Sequence, residues 1–317
     1  MRLSSLIRPS TAGNSLVCVV VQKRGVTVAI PFAQLIVDGL GMGLIYVILA
    51  AGLVLMMSVS GIMYIAYGEL YTIGAISVWA GVELLKLPFF VALGLAVLIT
   101  TVIGMASYRF IFQYIQHIEN KFLAMVTAAV GLMMILGQAN LLIFGTTPQK
   151  VPSAFSGMIK APGISISVEK VVLMVLAVVV TIVLFFVYEK TRIGRAMRAV
   201  AFNSDVASLQ GVKTNAIYMA TMGIGAGLAG FAGAVMAPVY VVYPEMGSNI
   251  FLSILLVLML GGMNSIAGAV LGGIVLGLTL SFGLFFAGGL AQILLFILIG
   301  VIIFFRPGGL LGSKAEL

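Results

Sequence analysis

Apolar residues run along this chain in long stretches instead of alternating with polar ones. Apolar segments fall at 33–57, 61–82, 89–107, 122–144, 168–188, 216–242, 249–262, 265–286 and 290–305. Runs such as Val171 to Val187 and Ile293 to Phe305 hold no charge. Several segments reach the roughly 20 residues a helix needs to cross hydrocarbon. A helix satisfies its own backbone hydrogen bonds in lipid, whereas a spanning barrel strand would alternate apolar and polar residues. The pattern therefore predicts an all-α, polytopic transmembrane helix bundle of about 8–10 helices, including broken or re-entrant segments.

Two places break the pattern. One is Ser60-Gly61-Ile62-Met63-Tyr64-Ile65-Ala66-Tyr67-Gly68-Glu69, so 61–82 reads as a broken segment. The other is Gly261-Gly262-Met263-Asn264-Ser265-Ile266-Ala267-Gly268, which leaves 249–262 too short to span. Paired broken segments in the halves of a transporter mark translocation sites, so Tyr64, Tyr67, Gly68, Glu69, Asn264 and Ser265 are the pathway candidates. Glu69 is the principal intramembrane charge; it serves function at membrane depth, or caps the next helix if it lies at the interface. Gln34, Asp38, Gln138, Asn140 and Gln292 are expected at interfaces or in interhelical hydrogen bonds. Glycine recurs at helical spacing, at Gly39 and Gly43, Gly223 and Gly227, Gly268 and Gly272. Small residues let backbones approach in lipid, so these positions are expected at helix contacts, with some faces sliding during transport.

Composition agrees with the membrane reading: 62% of the 317 residues are hydrophobic and 8% charged, against about 25% charged in soluble chains. In so apolar a chain the net charge of +8 reflects basic cytoplasmic loops, and no nucleic-acid module is evident. One cysteine, Cys18, excludes an internal disulfide framework or a thiolate metal cluster. The lone His117 sits in a polar linker beside Glu119 without the partners that a metal or catalytic site needs. Residues 1–29, with Arg2, Arg8, Lys23 and Arg24 and no acid, read as a basic extension, either disordered or a start assigned too early. Residues 30–317 form one transmembrane domain. Its linker 189–215 carries Lys190, Arg192, Arg195, Arg198 and Lys213, and is cytoplasmic by the positive-inside rule. Loop 145–167 then falls outside, the C-terminal tail inside, and the basic N-terminus outside unless 61–82 re-enters and changes the parity.

The Ala-rich stretch of the linker, ending at Gly211, predicts one or two short helices with glycine as the stop. Its Gly194-Arg195-Ala196-Met197-Arg198-Ala199-Val200-Ala201 and Ala207-x3-Gly211-Val212 resemble the coupling loop of branched-chain amino acid ABC transporter permeases. Gly68-Glu69-Leu70-Tyr71-Thr72-Ile73-Gly74, Leu260-Gly261-Gly262-Met263-Asn264-Ser265-Ile266 and Arg306-Pro307-Gly308-Gly309-Leu310-Leu311-Gly312 are similar to that family's signatures, in the same order. The likeness runs from about residue 33 to the C-terminus and is nearer to the LivH kind of the two paired permeases. The chain departs from the family pattern at Tyr64-Ile65-Ala66-Tyr67, at Phe202-Asn203-Ser204, and at Asn264 and Ala267.

The resemblance implies a multi-pass subunit of a bacterial inner (plasma) membrane importer for branched-chain or related amino acids. Its partners would be a second related permease, two cytoplasmic ABC ATPases and a periplasmic or extracellular solute-binding protein. Gly194, Arg195, Arg198, Ala199, Asp205, Ala207 and Gly211 would form the ATPase-coupling loop. The chain has no Gly-x4-Gly-Lys-Ser/Thr loop, so it should bind no cofactor and hydrolyse nothing, with ATP and Mg used by the partner subunits. Permeases for urea, short amides, other amino acids or sugars are alternatives within the class. An ion-coupled secondary transporter would need several intramembrane acids or a histidine relay, a channel a charged ring or carbonyl filter, and a membrane enzyme clustered Asp, Glu or His.

Overall fold

The computed structural model describes residues 18–23, 26–116, 118, 120–152, 157–161, 164–262, 265–290, 293, 295–297, 300–301, 304 and 309. The candidates His117, Asn264 and Gln292, and the signature at 306–308 and 310–312, lie outside the described residues. A hairpin of β1 (Cys18–Lys23) and β2 (Val26–Pro31) precedes α1 (Phe32–Ser60), α2 (Tyr67–Glu83) and α3 (Phe89–Ser107). A π-turn at Tyr108–Phe112 and the single turn α4 (Gln113–Ile115) extend α3, and α5 (Lys121–Phe144) follows. A second hairpin, β3 (Met158–Ala161) with β4 (Ile164–Ser167), leads into α6 (Val168–Lys190). Then come α7 (Arg192–Phe202), α8 (Ser204–Leu209), α9 (Thr214–Met236), α10 (Met246–Gly261) and α11 (Ile266–Ala287). Among the described residues, 6 helices are long and apolar enough to cross a membrane, with α10 a shorter apolar helix. This is the polytopic helical bundle that the apolar pattern predicts.

The segment 61–82 is broken where expected, but it starts as a helix only at Tyr67. Ile62, Tyr64 and Ala66 in the non-helical stretch are fully buried, the setting in which irregular backbone is tolerated at membrane depth. Segment 216–242 overruns: α9 stops at Met236, before Pro238. Proline has no N–H to give to the carbonyl four residues back, and a hydropathy pattern does not register that loss.

The core is built on close helix contacts. A Cβ at Gly277 would lie 2.4 Å from the Gly43 Cα, and one at Gly74 would lie 2.2 Å from the Gly230 carbonyl. The sequence-predicted packing glycines all fall on such contacts. Gly39 faces Leu278, Gly43 faces Gly273, Gly223 faces Met105, Gly227 faces Thr101, Gly268 faces Gly261 and Gly272 faces Val257. With no water to expel between helices in lipid, dispersion over this close approach holds the bundle together.

Sidedness follows from two ends of α1. At its start Asp38 pairs with Lys170 Nζ at 2.6 Å, on the first turn of α6. At its end Ser60 and Gly61 line a cavity with Ser204, Asp205 and Thr214 of the linker. Tyr108 at the end of α3 donates to Asn215 at 3.2 Å, so α3 also ends on the linker side. α2 therefore climbs away from that side, and the break leaves the parity of the spans unchanged. The start of α1 lies opposite the linker.

Candidate functional site

At the α1–α2 junction Gly61 adopts φ +67, a left-handed turn that glycine takes without penalty. Ser60 Oγ donates to the Met56 carbonyl at 2.6 Å and accepts from the Ile62 N–H at 3.4 Å. The first bond turns Ser60 back onto its own helix, and the second gives the Ile62 N–H, just past the turn, an acceptor. Tyr64 crosses to α3, where its hydroxyl donates to Ser107 Oγ at 3.2 Å and its ring packs on Phe112. Tyr67 is fully buried in the notch that Gly52 leaves in α1; its hydroxyl has no hydrogen-bond partner among the described residues. Gly68 lies against Gly247, where a Cβ would come within 2.2 Å of the carbonyl oxygen.

Glu69, 6% exposed, accepts a hydrogen bond from Asn140 Nδ2 at 3.2 Å, and its carboxyl group lies beside Gly137 of α5. Residue 137 lies roughly 24 Å along α5 from Lys121, at 1.5 Å per residue. That puts Glu69 at membrane depth, not at the linker-side interface. It stands in the first turn of α2, which has no side-chain N-cap, and the positive end of the helix there favours its carboxylate. Asn140 is the interhelical hydrogen-bond donor its sequence position suggested.

Ser265, by contrast, is a helix cap that accepts from the Gly268 N–H at 3.0 Å. Tyr64, Tyr67, Gly68 and Glu69 are thus brought together as a buried knot of α1, α2, α3, α5 and α10. The open space lies beside it. A cavity of about 630 Å³ is lined by Tyr46, Tyr71, Tyr240, Tyr243, Asn249 and Ser253 among apolar side chains. Sequence reasoning passed over these residues. Tyr240 was absorbed into an apolar segment, and Tyr46 and Ser253 are single polar positions inside apolar runs. The clustering of tyrosines at Tyr240 and Tyr243 just past Pro238 was the available signal.

On the opposite side the linker forms the two helices α7 and α8. Gly194 seats α7 against the end of α6: a Cβ there would lie 2.1 Å from the Tyr188 carbonyl oxygen. Thr191 caps α7 by accepting from the Gly194 N–H at 3.1 Å. Arg198 turns back onto α6, donating to the carbonyls of Tyr188 and, at 3.2 Å, Glu189, with its guanidinium 5.3 Å over the Tyr188 ring. Arg195 and Ala199 are exposed, and Arg195 forms no ion pair with a described residue. Asn203 caps α8 through the N–H groups of Asp205 and Val206, Ala207 is buried under it, and Gly211 ends it at φ +83. Phe202 and Leu209 stand 95% and 87% exposed, with Val206 between them.

The sequence matches the family described as the permease component of branched-chain amino acid transport systems over residues 35–305. The chain belongs to that family. It is 28% identical over 296 residues to the high-affinity branched-chain amino acid transport system permease protein BraD of Pseudomonas aeruginosa, covering 89% of this chain and 96% of that one. To the LivH permease of Escherichia coli K12 it is 26% identical, with the same coverage. To a probable LivH permease of Methanocaldococcus jannaschii it is 24% identical over 242 residues, 74% of this chain and 75% of that one.

As a member of this permease family the chain is a multi-pass membrane component of a transport system, and the geometry divides its features between two faces. The buried knot and the tyrosine-lined cavity belong to the membrane, and the propped helix pair belongs to the linker side. Among the described residues no group of three His, Cys, Asp or Glu is placed to hold a metal.

Proposed function

We propose that this chain is one of two permease subunits in an ATP-driven importer that carries branched-chain or related neutral amino acids across a bacterial inner membrane. The observation that carries this reading is the linker. A glycine-seated, arginine-propped helix pair holds Phe202, Val206 and Leu209 out into solvent. Burying such side chains contributes about 1.5–3 kcal/mol each, so an exposed cluster on a firmly tied element suits a docking partner. Two ABC ATPases would occupy that side, binding ATP and Mg themselves, and a solute-binding protein would deliver to the other. Closure of the ATPases would push on α7, and α7 passes the force into α6 through Gly194 and Arg198. The charge pattern does not favour ion coupling, since Glu69 is held by Asn140 and not by a relay of acids.

The test is uptake into proteoliposomes holding this chain with its second permease and ATPases, with binding protein added outside. Leucine accumulation should require ATP and the binding protein. Accumulation without nucleotide, or uptake of urea or a sugar in place of leucine, would overturn the reading.

A further inference from the structure

The cavity beside the buried knot carries chemistry that membership of the permease family leaves open. Its volume of about 630 Å³ falls within the range of roughly 300–1,000 Å³ typical of small-molecule sites. It opens between α1, α2, α10 and α11, next to the turn in which Val242 exchanges backbone hydrogen bonds of 2.8 Å with Gln149 of the loop opposite the linker. It therefore faces the side from which an importer receives its solute.

Its wall has two parts. Met42, Met236 and Met246 give flexible apolar surface that can close around branched side chains of differing shape. Tyr46, Tyr240, Asn249 and Ser253 give hydroxyls and an amide, with Tyr46 hydrogen-bonded to Ser253. Among the described residues no Asp, Glu, Lys, Arg or His lines the cavity. A lipid acyl chain could not meet the hydrogen-bonding capacity that the Tyr46–Ser253 and Asn249–Tyr243 pairs leave over, which is costly. An ionised side chain would lose its water and meet no counter-charge, which costs far more. A neutral amino acid pairs with the polar groups, carries no net charge and adds no ionised side chain, so it meets the smaller cost. Its aliphatic side chain meets the methionines while its backbone ammonium and carboxylate stay partly hydrated among the hydroxyls. Without a charged anchor the hold is weak, as suits a site that must release its load.

We propose that this cavity is the permease's own binding station for a neutral, aliphatic amino acid, and that its lack of charge rejects lysine-like and aspartate-like side chains. The proposal rests on the transport reading above and names where in this chain the solute is held.

The test uses the assembled transporter in lipid nanodiscs, with Cys18→Ala to remove the native thiol and Ser253→Cys as the reporter. A soluble maleimide should label Ser253→Cys, and 10 mM leucine should slow labelling at least about fivefold if the dissociation constant is near 1–2 mM, by simple mass action. Lysine at the same concentration should leave the rate within about 1.5-fold, by the same relation. Labelling of Leu142→Cys, whose native side chain is 82% exposed, should respond to neither. Asn249→Cys serves as a second reporter should Ser253→Cys fail to assemble. Labelling indifferent to leucine, equal protection by lysine, or no labelling at either position would overturn the proposal. Leucine uptake by the unsubstituted complex separates the two readings. Uptake without protection sinks the cavity alone, and protection without uptake sinks the importer reading alone.

Discussion

Gly194 and Glu69 show how much one side chain decides here. A methyl group at Gly194 would press into the Tyr188 carbonyl, and helix backbone can yield only by lifting α7 from α6. Gly194→Ala should cost about 1–3 kcal/mol of stability at that joint, the usual range for forced overpacking. It should lower uptake more than ATP hydrolysis, measured together in proteoliposomes. Equal uptake by the variant would mean that the joint does not carry force. At Glu69 the question is whether charge or hydrogen bonding matters. Glu69→Ala leaves the buried Asn140 amide without its acceptor, at about 1–3 kcal/mol, while Glu69→Gln restores an acceptor carbonyl. The glutamine variant should stay near the parent in thermal stability and the alanine variant should fall. If both fall alike, the carboxylate charge itself is needed.

At the scale of the element, α7 and α8 are too short to be stable alone, so their form depends on their ends. Arg198 satisfies carbonyls left over at the end of α6, and its planar fork over Tyr188 is a fit that lysine lacks. Arg198→Ala should therefore cost about 1.5–3 kcal/mol, as for hydrogen bonds to a charged group, and Arg198→Lys should recover little of it. Arg195→Ala should change stability by less than about 0.5 kcal/mol, as for exposed positions without partners. Unlike Arg198, Arg195 is left available to a partner, together with the exposed Lys190, Arg192 and Lys213, so its loss should weaken retention of the ATPases on purification. Retention unchanged by Arg195→Ala would mean that Arg195 does not carry that docking. From sequence, Arg195 and Arg198 look alike, one turn apart on a basic helix. Only the bend between α6 and α7 sends one back to its own chain and leaves the other outside.

For the molecule as a whole, the prediction concerns sidedness. The Asp38–Lys170 pair and the linker-side cavity at Ser60 fix the direction of α1, and the Tyr108–Asn215 bond fixes that of α3. Phosphatase fusions just before Phe32 and at Lys86 should both be active, and a fusion at Ser204 inactive, in intact cells. Opposite signals from the first two would mean that α2 does not cross.

The helix bundle, the basic linker with its two short helices, and the break near Gly61 were legible in the order of residues. Each depends on local physics: a backbone that must bond to itself in lipid, glycine that tolerates positive φ, and charge that avoids hydrocarbon. The packing glycines could be recognised as such, though not paired, because spacing on one helix is blind to the helix opposite. Tyr64, Tyr67, Gly68 and Glu69 stood out in the sequence because polar groups are rare there, yet tertiary packing buries all of them. Tyr46, Tyr240, Asn249 and Ser253 were unremarked because they are scattered over three segments, with Asn249 and Ser253 alone sharing one. They became a site only when the fold drew α1, α10 and the turn after α9 around one space. The sequence alone determined what must lie in the membrane, since solvation acts residue by residue. Which side chains face one another was left to the tertiary structure, because contact depends on distance between segments far apart in the chain.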